Sequence, residues 1–290
     1  MPVIYSNYQG EVIKTYQREV IITRQNIKEK ENEIMMENMF RLDGKKAVVV
    51  GGAGGIGQAI AQGLAEFGAT VAIASRKEES LQRAVKEIKE ACGKDVTYYI
   101  CDAADEASVN ALAEKATEDM NGVDILVCSQ GFNQKYDAVD FPMDVWENMF
   151  NVNVKGVMMC NKAFGKRMQE NGYGKIINIT SVRGKIATAM KGNAGYCATK
   201  GALDMMTRQL ASELGPQVTV NAIGPTVTMT PMMEKIVPEA AKAGIAAGVP
   251  MKRMAQPEDC VGTAVFLASE ASSFVTGQII YPDGGLTAIG

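Results

Sequence analysis

The chain has 290 residues, 47% of them apolar and 22% charged, with a net charge of −3. These values fit an ordinary globular protein and exclude a global basic field for nucleic acid. No apolar run reaches the roughly 18 residues of a membrane-spanning helix, and the complete lack of histidine removes Ser-His-Asp and Cys-His catalysis and His-ligated zinc.

Residues 1–40 differ in character from the remainder of the chain. YQREVIITRQNIKEKENEIMMENMF is charged and glutamine-rich, with Ile and Met at loosely helical spacing. It reads as an N-terminal extension, either a frayed arm or an oligomer contact, ahead of one domain over 41–290. It lacks the apolar core of a secretory signal. Six scattered cysteines (92, 101, 128, 160, 197 and 260) contain no CxxC pair. The expectation is reduced thiols, a cytoplasmic location and no metal site.

From residue 46 strands and helices alternate. KAVVV (46–50) is a β-branched run expected as a buried strand, and IGQAIAQGLAEFG (56–68) a helix closing on Gly68. Further expected strands are TVAIAS (70–75), VTYYICD (96–102), VDILVCSQG (123–131), GKIINITS (174–181), VTVNAIGP (218–225) and GQIIYPDGG (277–285). Helical patterns fill the intervals: 77–92, 106–120, one long helix over 144–168, 195–214 and 256–269. Such alternation implies crossover connections and a parallel sheet covered on both faces. The fold class is therefore α/β, a doubly wound Rossmann fold that binds ligands at the carboxyl ends of its strands.

The first strand-to-helix turn, GGAGGIG, holds five glycines within 51–57. Gly52, Gly54 and Gly57 match G-x-G-x-x-G, while Gly51, Gly55 and Gly57 match an overlapping G-x-x-x-G-x-G. Such a turn lets backbone N–H groups and the helix N-terminus face a pyrophosphate. A carboxylate ending the second strand would bond the ribose hydroxyl and favour NAD. Ser75 and Arg76 stand there instead, and an arginine pairs with a 2′-phosphate. NADP(H) is favoured, with NAD(H) left open.

YCATK places Tyr196 and Lys200 one helical turn apart on one face. An ammonium beside a phenol is expected to lower the phenol's pKa and make it a usable acid/base. NITSVRG ends a strand at Ser181, at the ligand-binding edge. Asn153 lies in NVNVKG on the preceding long helix.

These segments, taken with CDAAD, VNAIGP and DGG in the same order, resemble the short-chain dehydrogenase/reductase family from about Leu42 to the C-terminus. The resemblance implies roles by position. Tyr196 is the catalytic acid/base, and Lys200 lowers its pKa and holds the nicotinamide ribose. Ser181 bonds the substrate oxygen, and Asn153 supports a proton-relay water. Gly51, Gly52, Gly55, Ile56, Gly57, Ser75, Arg76, Asp102, Ala103, Pro225, Thr228 and Thr230 line the cofactor, with Asp102 at the adenine and Thr230 at the carboxamide. The chain departs from the family pattern at several points. Val50 replaces a Thr before the first glycine, CSQG (128–131) replaces Asn-Asn-Ala-Gly, with Ser129 and Gln130 as stand-ins, and Thr226 follows Pro225 where a Gly is usual. Ser181 and Tyr196 are two residues further apart than is commonest, within KIATAMKGNAG.

The substrate is expected to be a small-molecule secondary alcohol or ketone. Arg183, with Lys185 and Lys191 nearby, points to a sugar acid or polyol, as in gluconate 5-dehydrogenase-like members. Against this stand the methionines 229, 232, 233, 251 and 254 of an expected lid over about 227–254, which suit a steroid or acyl chain. Hydroxysteroid oxidation and 3-oxoacyl-carrier-protein reduction are the alternatives. A nucleotide-binding sensor is the non-enzyme alternative. The apolar surplus of the helices over 144–168 and 196–214 implies, with the resemblance, a homotetramer.

Overall fold

Neighbouring side chains of the first strand enter different hydrophobic layers. The computed structural model describes residues 38–289, the side chains of 232, 235 and 236 excepted. The expected extension over 1–40 thus lies outside the described residues but for its last three. In chain order the main elements begin β1 (Lys46–Val50), α1 (Gly55–Glu66), β2 (Thr70–Ser75), α2 (Glu78–Cys92), β3 (Val96–Ile100), α3 (Glu106–Asp119) and β4 (Ile125–Cys128). They continue α4 (Met143–Phe150), α5 (Gly156–Asn171), β5 (Gly174–Ile179), α6 (Ala194–Leu214) and β6 (Val218–Ile223). The C-terminal part holds α7 (Pro231–Ile236), α8 (Glu239–Ala247), α9 (Val261–Ala268) and β7 (Ile279–Ile280).

Val48 and Val50 of β1 pack with Leu126 of β4, Ile176 of β5 and Val220 of β6, under α3, α5 and α6. Ala47 and Val49 pack with Val127, Ile177 and Ile223 on the other face, under α1, α2 and α9. This parity is the period-two signature of strands buried on both sides. All pairings are parallel, in the order β3-β2-β1-β4-β5-β6-β7. The order reverses between β1 and β4, so the crevice at their carboxyl ends is the expected ligand site.

Three expectations need correction. The strands end sooner than expected, at Ile100, Cys128, Ile179 and Ile223, and the residues that follow form connecting turns and loops at the carboxyl edge of the sheet. The long helix is not uniform: a π turn over Asn151–Lys155 separates α4 from α5. One residue added to a turn shifts the side-chain phase by about 100°, which a 3.6-residue pattern does not register. The last strand shrinks to two residues. In the segment expected as a lid, α7 and α8 form short helices, α7 capped by Thr230, whose Oγ1 accepts from Met233 N. No helix among the described residues is long and apolar enough to cross a membrane.

Candidate functional site

At the switch point the end of β1 is tied to both neighbours. Gly51 N donates to Ala74 O at 2.8 Å, and Ser129 N donates to Val50 O at 2.8 Å. Gly51 has φ +81°, and a Cβ there would lie 2.6 Å from Gln130 N. Gly57 packs against Gly51 O and Ser129 Cβ. Gly51 is therefore required by its left-handed backbone as well as by close packing on the β4 loop, and Gly57 by close packing alone. Gly52 faces the Ile73 side chain, Gly55 faces the Thr230 methyl, and Ile56 packs on the α1 side of the sheet. Space beyond Gly54 is open. The first turn of α1 has no acidic residue and no side-chain cap. Uncapped N–H groups at a helix start facing open space fit a pyrophosphate.

The other cofactor candidates lie at or beyond the carboxyl ends of β2, β3 and β6. Ser75 ends β2 half-buried, and Arg76 next to it is exposed. Asp102 follows β3, and its Oδ1 accepts from Ala104 N at 3.0 Å. Ala103 O lies against Gly156. Pro225 O accepts from Val182 N at 3.0 Å, joining the β6 end to the segment after β5. Thr228 forms an isolated parallel bridge with Ala255. The replacement of the family's Asn-Asn-Ala-Gly has a definite outcome. Gln130 turns toward α5, its Nε2 donating to Cys160 Sγ at 3.7 Å, while its Oε1 is buried without a partner.

The four catalytic candidates converge. Lys200 is 3% exposed, and its Nζ donates to Ile179 O at 2.8 Å and sits 5.6 Å from the Tyr196 ring centre. Ser181 Oγ donates to Pro225 O at 3.4 Å and accepts from Arg183 N at 3.2 Å, and it acts on the Tyr196 phenol. Asn153, fully buried in the π turn, clamps the backbone of Phe132. Its Oδ1 accepts from Phe132 N at 2.7 Å and its Nδ2 donates to Phe132 O at 2.8 Å. A Cβ on Gly131 would lie 3.9 Å from both Asn153 Oδ1 and Lys200 Nζ, so the β4 loop meets both groups. Beneath them Asn161 donates to Asn178 Oδ1 at 3.0 Å, and Asn178 donates to Thr207 Oγ1 at 3.2 Å. This buried chain registers α5, β5 and α6 against one another.

The electrostatics correct one expectation. The Tyr196 phenol is not lowered by Lys200; burial pushes it up, opposed by the hydrogen bond with Ser181 and by the charge of Arg183. Lys200 itself is lowered from 10.5 to about 8 by burial, with Asp204 opposing. Desolvation dominates where sequence spacing alone suggested charge coupling. Stability then depends on pH. Between pH 8 and 10.5 the unfolded chain holds the proton that the native Lys200 has released, so this group's contribution to stability rises with pH there. Below pH 8 the buried ammonium carries its full penalty, about 3 kcal/mol. We expect Lys200→Met to gain on the wild type by about that amount at pH 7 compared with pH 10.5, as measured by denaturant titration at both pH values. Parallel pH dependences would contradict the buried, depressed lysine.

The anticipated substrate cations separate. Arg183 is half-buried, its Nη1 donating to Ala187 O at 2.7 Å, and its charge acts on Tyr196. Lys185 instead reaches Thr287 Oγ1 at 3.5 Å, and Lys191 pairs with Asp137 at 3.7 Å. Of the methionines expected to line a lid, Met229 and Met254 are buried, whereas Met251 is 62% exposed. Two features escaped the sequence reading. Phe141 packs on Gly195, beside Tyr196, and continues to Tyr136 and Trp146 at ring distances of 5.6 and 5.9 Å. Asp204 lies buried one turn beyond Lys200, bonded to Thr180 and Tyr281. Its signal was available: an Asp at i+4 from the lysine on the inward face of a helix. Among the described residues no cluster of His, Cys, Asp or Glu is arranged to hold a metal ion.

Comparison with known proteins places this geometry. Residues 51–287 match a family model described as enoyl-(acyl carrier protein) reductase. The gluconate 5-dehydrogenase of Gluconobacter oxydans strain 621H is 35% identical over 252 residues, covering 86% of this chain and 97% of that protein. Among solved structures, a gluconate 5-dehydrogenase from Burkholderia cenocepacia J2315 in complex with NADP and tartrate superposes with a TM-score of 0.82 at 33% identity, covering 87% of this chain and 99% of that one. A 7α-hydroxysteroid dehydrogenase complexed with NADH and 7-oxo glycochenodeoxycholic acid gives a TM-score of 0.81 at 30% identity, covering 86% and 96%.

Proposed function

Since the chain belongs to the short-chain dehydrogenase/reductase family and is an oxidoreductase of alcohols and ketones, we propose that it transfers hydride between NADP(H) and a secondary alcohol or ketone of the sugar-acid or polyol class. The glycine turn over 51–57 and Arg76 would hold the nicotinamide cofactor, which would supply the hydride chemistry at the carbinol carbon of an alcohol or the carbonyl carbon of a ketone. Tyr196 moves the proton at the substrate oxygen, and Ser181 holds that oxygen. Lys200, fixed on Ile179 O, supplies positive charge beneath the phenol. Asn153 holds the β4 loop in place through Phe132.

The observation carrying the substrate class is Arg183. It is the one anticipated cation whose charge acts on Tyr196, and its guanidinium is fixed by Ala187 O. A carboxylate on the substrate would pair with it. The relative solved with NADP and tartrate supports the same chemistry. The hydroxysteroid relative favours a second reading, an apolar ring system against Phe141 and Tyr136. The deciding experiment is a paired oxidation and reduction screen over sugar acids, polyols, hydroxysteroids and acyl thioesters with both nicotinamides. The highest kcat/KM is expected for a sugar acid, and Arg183→Gln should raise its KM about 10-fold or more while sparing a neutral polyol. Highest kcat/KM for a steroid or thioester would replace this reading.

The assembly proposed is a cytoplasmic homotetramer. The six cysteines are free thiols, which suits a reducing compartment. A groove of about 850 Å³ along α4, α5 and α6 is lined by Trp146, Phe150, Val154, Met158, Met159 and Met206. Light scattering at micromolar concentration should give four chains of 31.1 kDa, and Met158→Lys with Met206→Asp should reduce that mass. A monomeric wild type would refute the assembly.

A further inference from the structure

Asp204 is a carboxylate in an unusual place. It is 5% exposed, on the face of α6 that also carries Lys200 one turn earlier. Thr180 Oγ1 donates to its Oδ1 at 2.6 Å, and the Tyr281 hydroxyl donates to its Oδ2 at 3.0 Å. Thr180 immediately precedes Ser181 and follows Ile179, whose carbonyl holds Lys200. A Cβ on Gly184 would lie 2.5 Å from Asp204 Oδ2, so the turn after Ser181 closes over the carboxylate. A Cβ on Gly224 would lie 2.5 Å from the Tyr281 ring, which places that ring against the residue before Pro225. One side chain thus touches both flanks of Ser181 and, through Tyr281, the end of β7 beside the end of β6.

The charge arrangement adds a second role. Lys200 and Arg208 face Asp204 from its own helix. Tyr281 faces it from the β7 end, with Asp283 beyond and the Lys185 ammonium 5.0 Å from the Tyr281 ring centre. Burial raises the carboxyl's pKa, while the two hydroxyl donors and the two cations lower it. Its opposition to the lowering of Lys200 agrees with the geometry.

We propose that Asp204 is a positioning residue of this active site, fixing the Thr180–Ser181 strand end and Tyr281 against the helix of Tyr196 and Lys200 and supplying the buried negative charge that faces Lys200. The proposal rests on the reading of Tyr196 and Lys200 as the proton-transfer pair. It concerns a residue that touches neither substrate nor cofactor, so its signature is a change in pH profile rather than in KM.

The test uses the full chain and the best substrate of the screen, with Tyr196→Phe as the inactive control that checks the underlying reading separately. In Asp204→Asn the shape is kept and the charge removed. Expected are a fall in kcat of about 10-fold, little change in substrate KM, and an alkaline limb of the kcat profile moved down by about half to one pH unit. Tyr281→Phe removes only a hydroxyl and guards against a failure of the first variant to fold. It should lower kcat about 2–5-fold and move the acid limb up, because the carboxylate loses a donor. Limbs that superimpose on the wild type in the variants that fold, with Tyr196→Phe inactive, would overturn the proposal, leaving Asp204 a packing residue. A fully active Tyr196→Phe would instead fault the reading of the site itself.

Discussion

Tyr196→Phe is expected to retain NADP(H) binding and to lose turnover by about 10²–10⁴-fold, the range for removal of general acid/base catalysis. The change takes away one oxygen and leaves the ring in its contacts on α6. Lys200 stays fixed on Ile179 O, and Asn153 stays clamped on Phe132, so the site around the missing hydroxyl persists. The direction of the reaction matters to the measurement. Burial holds the Tyr196 phenol above its ordinary pKa of 10, so it is protonated at neutral pH and ready to act as an acid in ketone reduction. Alcohol oxidation needs the phenolate and should quicken as pH rises toward alkaline values. The wild type should therefore show opposite pH trends in the two directions, and the phenylalanine variant should show neither. Near wild-type kcat in the variant would remove Tyr196 from the mechanism.

Arg76→Asp should raise KM for NADPH by about 10–150-fold and spare or improve NADH. A charge-assisted hydrogen bond is worth about 1.5–3 kcal/mol, and an aspartate adds repulsion toward a phosphate. Arg76 stands exposed at the end of β2, beside Ser75, and no hydrogen bond or ion pair to it is found among the described residues. Its guanidinium is thus available without breaking a structural contact, and the variant should melt as the wild type does. Equal kcat/KM for the two nicotinamides in the wild type would refute the preference at once.

What the sequence disclosed was local. The glycine turn, the one-turn spacing of Tyr196 and Lys200, and the strand ending at Ser181 each declare themselves within a few residues. The sheet is implied by the alternation of apolar runs with helical periods. Tertiary convergence stayed hidden. Asp204 acquires its partners from Thr180 and Tyr281, 24 and 77 positions away. Asn153 reaches Phe132 through a π turn that breaks the helical count. The sign of the shift on Tyr196 depends on burial, which spacing does not encode. Arg183 was set apart from Lys185 and Lys191 only by what each side chain contacts.

The clamp on Phe132 bears on how such an enzyme can change what it accepts. The segment from Phe132 to Phe141 is held at its root by two hydrogen bonds from a helix and at its far end by a ring resting on Gly195. Between those anchors Asn133, Gln134, Lys135, Asp137, Ala138, Val139 and Asp140 are exposed. Anchors and tip have different surroundings: Phe132 bonds Asn153 and Phe141 packs on Gly195, whereas the exposed stretch between them meets the turn at 191–192, where Asp137 pairs with Lys191. None of the exposed positions takes part in the hydrogen bonds that hold Asn153 and Lys200. The loop is in this sense an exchangeable cassette, whose exposed positions can vary while the bonds that hold Asn153 and Lys200 are inherited unchanged.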